Sequence, residues 1–233
     1  MFSPHGPSLR ELTVQALSSV ERGYDLLAPK FDDTPFRTPD AILEATAAAL
    51  PGRFGRGLDV CCGTGAGLTV LEAVCDRPVT GVDFSAGMLA RARADHPGAT
   101  LVRADVRALP FAGEFDLAVT FGALGHFLPA ERPAVFEGVH RALRPGGLFA
   151  FPVGAPPPVT SVAHWAALGF DLAMRVRNAV WRPPFVMYYR TTSLPALSVD
   201  LMAAGFSVRT AALGLPGRWQ LVLARKDTFI RAG

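Results

Sequence analysis

Leu58-Asp59-Val60-Cys61-Cys62-Gly63-Thr64-Gly65-Ala66-Gly67 joins a short apolar run to the helical run Leu68-Thr69-Val70-Leu71-Glu72-Ala73-Val74 through a glycine-rich corner. A strand feeding a helix in this way lets the backbone approach a ligand closely and aims the unpaired N–H groups of the helix start at it. Glycines also turn strand–helix corners for geometric reasons alone, so the reading rests on what surrounds the corner.

Two carboxylates extend it. Asp83 closes the next apolar run, 20 residues beyond Gly63, where an acid can hydrogen-bond both ribose hydroxyls. Asp105 follows a third run in Arg103-Ala104-Asp105-Val106-Arg107, placed to accept from an adenine amino group. Either acid alone reads equally well as a solvated strand end or a helix cap. Three such features at three successive strand ends favour a ligand containing adenosine.

Around this centre, apolar runs at 56–61, 78–83, 100–103, 115–121 and 148–153 alternate with helical patterns, which predicts βαβ units and a mostly parallel sheet. The runs are continuously apolar, as in strands covered by helices on both faces. Ser85 caps a helix carrying Met88, Leu89 and Ala92, and a further helix is expected over about 129–143, broken by Arg144-Pro145-Gly146-Gly147. Upstream, Ser8 and Glu11 have capping-box spacing, and Leu9, Leu12, Ala16, Leu17 and Val20 form a helical stripe ended by Gly23. Thr38-Pro39 opens a second helix as cap and first-turn proline. After Val153 the alternation breaks into a proline-rich stretch, one helix through Trp165, Leu168, Leu172, Val176 and Val180, and the aromatic segment 185–190. A helix ending at Ala203-Ala204-Gly205 and strands near 206–213 and 219–224 follow.

Composition narrows the field. The chain has 233 residues, half of them hydrophobic, so it can bury a large core and is not of the disordered class. Its net charge of +3 is spread along the chain without a basic stripe, which argues against nucleic acid as a partner. Three cysteines, two of them adjacent, do not make a disulfide framework, and no His/Cys spacing suits a metal. No secretion signal is read at the start and no apolar run approaches the length of a membrane span, so a cytoplasmic protein with no stable membrane insertion is expected.

The motifs in this order resemble the class I S-adenosylmethionine-dependent methyltransferases, in the small-molecule group related to quinone-biosynthesis enzymes. LDVCCGTGAG is similar to the family's glycine motif, GVDFSAGMLARAR to its ribose-acid strand and helix, and RADVRALPF to its adenine segment. FDLAVTFGALGHF and LRPGGLFAF are similar to its fourth and fifth strands, and MAAGFSV with WQLVLARK to its terminal helix and hairpin. The resemblance implies an α/β fold: a Rossmann-like, seven-stranded, mostly parallel sheet with a terminal antiparallel hairpin, in three α/β/α layers. It implies one domain, with an N-terminal helical lid over 1–50, a cofactor-binding core over 56–153, an inserted substrate cap over 155–190, and the terminal helix and hairpin over 191–233. The implied cofactor is S-adenosyl-L-methionine, with S-adenosyl-L-homocysteine as product. Asp59, Cys61, Cys62, Gly63, Thr64, Gly65 and Gly67 would line its methionine part. Asp83 would hold the ribose, Phe84 and Met88 the adenine face, and Asp105 with Val106 the adenine edge. Phe121 and Gly122 would follow the fourth strand beside the sulfur. The family most often has glycine where Cys61 stands.

Methyl transfer needs alignment and exclusion of water, and a general base only where the acceptor must lose a proton. His126, in Gly122-Ala123-Leu124-Gly125-His126-Phe127, is the candidate for that work, the other reading being a packing histidine. Tyr24 resembles the N-terminal segment that closes over the cofactor in related enzymes, or is a surface-packing tyrosine. Trp165, Tyr188 and Arg190 are the cap's candidate substrate contacts, alongside Phe170, Trp181, Phe185, Tyr189, His164, Arg175, Arg177 and Arg182. They suggest a small apolar or aromatic acceptor, with an acidic group a further option, unless the aromatics form only the cap's own core. Two alternatives are compatible with the same residues: a nicotinamide-dependent oxidoreductase using the same loop and acid, and a non-catalytic S-adenosylmethionine-binding protein.

Overall fold

The structure is a computed structural model and describes residues 6–181, 186–188 and 193–228. Its centre is a seven-stranded sheet made of β1 (Gly57–Val60), β2 (Thr80–Asp83), β3 (Thr100–Arg103), β4 (Phe115–Val119), β5 (Leu143–Val153), β6 (Phe206–Ala212) and β7 (Gln220–Lys226). The order across the sheet is β3-β2-β1-β4-β5-β7-β6. The first five strands are parallel, while β7 runs antiparallel to both β5 and β6. The chain reverses its direction of winding between β3 and β4, so the carboxyl ends of β1 and β4, side by side, form the crevice in which such sheets bind ligands.

The helices are α1 (Leu9–Leu17), α2 (Val20–Leu27), α3 (Asp40–Ala49), α4 (Ala66–Val74), α5 (Ala86–Asp95), α6 (Arg132–Ala142), α7 (Val162–Val180) and α8 (Leu194–Ala203). α3, α4 and α5 pack on one face of the sheet and α6 and α8 on the other, and the strand side chains divide between them by alternation. Phe149 and Phe151 of β5, with Val222 and Ala224 of β7, face the core formed with Phe136 and Val139 of α6 and Leu197 and Leu201 of α8. Leu148, Ala150 and Leu221 face the opposite core with Leu43 of α3 and Leu68 and Leu71 of α4. Phe149 is fully buried in the first core, its ring 4.9 Å from that of Phe151 and 6.2 Å from that of Phe136.

Several expectations shift. The N-terminal stripe is two helices, because Ser19 accepts from the Arg22 N–H and caps a new start, and Gly23 lies buried inside α2 instead of ending a helix. Ser8 does form the capping box with Glu11. Thr38 makes no cap bond; α3 begins one residue later than expected, with Pro39 at its N-cap. α6 starts at Arg132, not near 129, since Leu128 and Glu131 close a turn first, the Leu128 N–H donating to the Glu131 carboxylate and the Glu131 N–H to Leu128 O. Arg144 to Gly147 do not separate helix from strand. They bulge within β5, where the partner of Phe115 is Leu143 and the partner of Leu117 is already Leu148.

Candidate active site

The corner after β1 is built on left-handed backbone. Cys61 has φ +60°, Gly63 +53° and Gly65 +107°. Only glycine adopts this region without steric cost, so Cys61 holds a strained conformation where the resemblance has glycine. The Cys62 N–H donates to Val82 O and the Gly65 N–H to Cys62 O, which ties the turn to β2 and closes it tightly. Burial and the carboxylates nearby push both thiols well above their ordinary values, so they are neutral walls rather than nucleophiles.

Asp59 is buried beneath this corner. A Cβ on Gly67 would meet its carboxyl group at 2.5 Å, so only glycine lets α4 sit over the acid. The N–H groups of Leu68 and Gly67 donate to the carboxyl, yet Oδ2 has no hydrogen-bond partner. Burial, helped by the negative charge of Asp83, pushes Asp59 up to about 8. Asp83 accepts from the Gly63 N–H and the Ser85 N–H, both at 2.9 Å, pinning the corner to the end of β2. Burial raises its pKa against the opposing N–H bonds.

The corner opens into a cavity of about 1990 Å³. Pockets for one small molecule run to about 300–1,000 Å³, so this one has room for a cofactor and an acceptor together. Asp59, Cys61, Cys62, Gly63, Thr64, Gly67, Asp83, Phe84, Met88, Asp105, Val106, Phe121 and Gly122 all line it. Gly65 does not: it caps α4 against the ring of His96, which occupies the space a side chain would need. Asp105 is committed to Arg107, whose Nε lies 2.9 Å away and whose other arm reaches Glu131 at 2.6 Å. Burial opposes the charge on Asp105, but the bonds from Arg107 outweigh it and hold the carboxyl below its ordinary range.

The N-terminal elements cover the cavity. Asp25 of α2 accepts from the Ser85 hydroxyl at 2.6 Å and the Gly87 N–H at 2.9 Å, at the start of α5. Asp32, in the 3-10 turn Ala28–Asp33, accepts from the Thr64 hydroxyl at 2.7 Å. Neither acid stands out by spacing, and only the acidic run after Tyr24 could have signalled them.

Tyr24 and His126, read separately in the sequence, meet here. The Tyr24 hydroxyl lies 2.7 Å from His126 Nε2, and His126 Nδ1 lies 2.7 Å from Val186 O. A carbonyl only accepts, so Nδ1 carries the proton and Nε2 accepts from Tyr24. Burial lowers the His126 pKa, against the opposing bond to Val186, which keeps the ring neutral.

The cap divides in two. Tyr188 and His164 line the cavity, with the Tyr188 ring beneath the Arg175 guanidinium at 4.7 Å and its hydroxyl accepting from Asn178. Trp165, by contrast, is 62% exposed and turned away, its indole N–H donating to Val159 O. Trp181 and Arg177 bind the end of α1, through Leu17 O and Ser18 O, and Phe170 and Arg175 are likewise outside the lining. Part of the expected acceptor surface is therefore the joint that fastens α7 to the N-terminal helices. Arg190, Arg182, Phe185 and Tyr189 lie outside the described residues. Among the described residues, no cluster could hold a metal ion and no helix is long and apolar enough to cross a membrane.

The reversed parallel sheet with its antiparallel end, and a glycine corner flanked by strand-end acids, define the class I S-adenosylmethionine-dependent methyltransferase fold. Residues 58–147 match the family model described as a methyltransferase domain. An uncharacterized methyltransferase of Synechocystis is 36% identical over 184 residues, covering 78% of this chain and 80% of that protein. A dTDP-3-amino-3,6-dideoxy-alpha-D-glucopyranose N,N-dimethyltransferase of Streptomyces fradiae is 31% identical, covering 69% and 76%. Among solved structures, an S-adenosylmethionine-dependent methyltransferase of Mesorhizobium loti superposes with TM-score 0.59 at 26% identity, covering 80% of this chain and 98% of that one. The chain belongs to the class I S-adenosylmethionine-dependent methyltransferases, and this membership replaces the nicotinamide-dependent alternative.

Proposed function

We propose that the cavity holds S-adenosylmethionine against the β1 corner and methylates a small, largely apolar acceptor held between the lid and the cap. The observation that carries the placement is Asp59 Oδ2, a buried carboxylate oxygen without a partner in the floor of the cavity. Such an atom is costly to leave unpaired, and the ammonium of the cofactor's methionine part matches it. Gly63, Thr64 and Gly67 offer backbone to the same part. Asp83 reaches the ribose, and Phe84 and Met88 flank the adenine. Asp105, steadied by Arg107, and Val106 read the adenine edge. When bound, the sulfonium supplies an electrophilic methyl group, so the chain's work is to orient the acceptor and exclude water.

The acceptor side is lined by Phe31, Phe36, Phe121, Leu124, Phe151 and Trp219, which supports an apolar or aromatic acceptor. The cap arginines Arg175 and Arg177 do not line it, and an acidic acceptor group finds no support from them. The Streptomyces relative is named for a dTDP-linked amino sugar, which supports a small-molecule acceptor.

The test is thermal. S-adenosylhomocysteine raises the melting temperature of the wild type, Asp83→Ala removes most of that rise, and NADH produces none. A wild type whose melting is unchanged by saturating S-adenosylhomocysteine contradicts the reading.

A further inference from the structure

The helix α7 is apolar on the wrong side. Its polar residues face the protein: Asp171 is buried, and His164 and Asn178 line the cavity. Its outward face carries Val162, Trp165, Leu172, Val176 and Val180 at helical spacing, each between 57% and 85% exposed. The Trp165 N–H already donates to Val159 O, so the indole offers this face only its ring. We propose that the outward face of α7 pairs with the same face of a second copy of the chain, antiparallel about a two-fold axis at the middle of the helix. The proposal stands independently of how the cavity is read.

The area is what a dimer needs. Trp181, half exposed at the end of α7, donates its indole N–H to Leu17 O, so the exposed Leu17 of α1 continues the patch. Together these side chains leave open on the order of 800 Å², which is what one partner of a standard interface covers and more than a monomer ordinarily shows in one patch.

Gly169 points to a helix as the occupant. A Cβ there meets nothing within 4 Å, and a glycine inside a helix costs about 1 kcal/mol relative to alanine. Nothing in the chain's own packing needs the residue to be small. A second backbone brought close against α7 does, and Ala166 and Ala173, a turn to either side on the same face, keep the approach open.

The face is also complementary to itself. A two-fold at residue 171, the centre of Val162–Val180, sets Val162 against the partner's Val180 and Trp165 against the partner's Val176. Leu172 then meets the partner's Gly169, large against small, as an isologous contact requires. The overlap runs the full helix, about 28 Å. A lipid surface suits the face less well. Helices that lie in a membrane interface carry free cations on the polar side, whereas Arg175 lies over the Tyr188 ring and Arg177 donates to Ser18 O. Pairing braces the cavity from behind, because the inner side of α7 is part of its wall.

Sedimentation equilibrium of the intact protein at micromolar concentration tests the pairing. The wild type is expected at twice the 24.8 kDa mass of one chain. Gly169→Arg, whose side chain enters open space in a single copy, is expected to keep the helical circular dichroism and to weaken the dimer about a hundredfold, by setting like charges near the axis. Oxidative cross-linking reads the register, with the wild type as control for Cys61, Cys62 and Cys75. Leu172→Cys cross-links to itself, Val162→Cys does not, and Val162→Cys mixed with Val180→Cys does. A wild type at the mass of one chain, a dimer that Gly169→Arg leaves intact, or Val162→Cys cross-linking to itself overturns the proposal. Single chains that float with vesicles of phosphatidylcholine and phosphatidylglycerol overturn it in favour of lipid.

Discussion

Cys61 holds φ +60° immediately after β1, a conformation that costs an L-residue about 1–2 kcal/mol. That cost lies beside Asp59, whose carboxyl is raised to about 8 by burial and by Asp83. The unfolded carboxyl titrates near 4. Between about pH 4 and pH 8 the folded chain therefore keeps a proton that the unfolded chain has lost, and stability falls as pH rises through that window. Asp59→Asn removes this dependence. Urea unfolding is expected to show the variant gaining on the wild type steadily from pH 5 to pH 8, and parallel stability curves would contradict the burial of the acid. The residue scale is where the sequence spoke most clearly. Asp59, Asp83 and the glycines sit at spacings that the backbone geometry requires, so their positions could be read directly. Gly65 caps α4 against His96, and a glycine at a helix cap and a glycine beside a ligand look alike in sequence.

At the scale of elements, α2 is fastened to α5 through one side chain. Asp25 takes the Ser85 hydroxyl and the Gly87 N–H, while Gly87 lies so close to the Asp25 backbone that a Cβ would stand 3.0 Å from it. Ser85 still caps α5 through the Met88 N–H, so losing Asp25 leaves that helix intact. Asp25→Ala is thus expected to weaken S-adenosylhomocysteine about three- to tenfold, through a looser lid, while the urea midpoint shifts by no more than about 1 kcal/mol equivalent. Equal affinity in calorimetry would show that α2 does not close the site. The strands and α4 and α5 were legible because their apolar periods and caps are local. The contacts of the lid and cap were not, since they join residues far apart in sequence: Asp25 to Ser85, Asp32 to Thr64, Trp181 to Leu17, Val186 to His126. No spacing rule carries them, and an aromatic such as Trp165 reads the same whether it faces a substrate or solvent.

For the whole molecule, the sheet order puts the ends of β1, β2 and β4 along one edge, and the lid and cap roof that edge into one cavity. Seven strands with two apolar layers hold the acids in place on one side of the cavity, and the N-terminal elements, the Leu124–His126 turn and residues 186–188 line it elsewhere. The order of motifs made the sheet readable in advance, whereas the joint between cap and lid emerged only in three dimensions. In the proposed function Asp59 receives the ammonium of the cofactor in this floor. Calorimetric titration of S-adenosylhomocysteine near pH 7, in two buffers of different ionisation enthalpy, tests it most directly. Pairing with the ammonium makes Asp59 give up the proton it holds at that pH, so the wild type should release about one proton per molecule bound and Asp59→Asn should bind more weakly and release none. Binding without proton release, at equal affinity in the two proteins, would contradict the account.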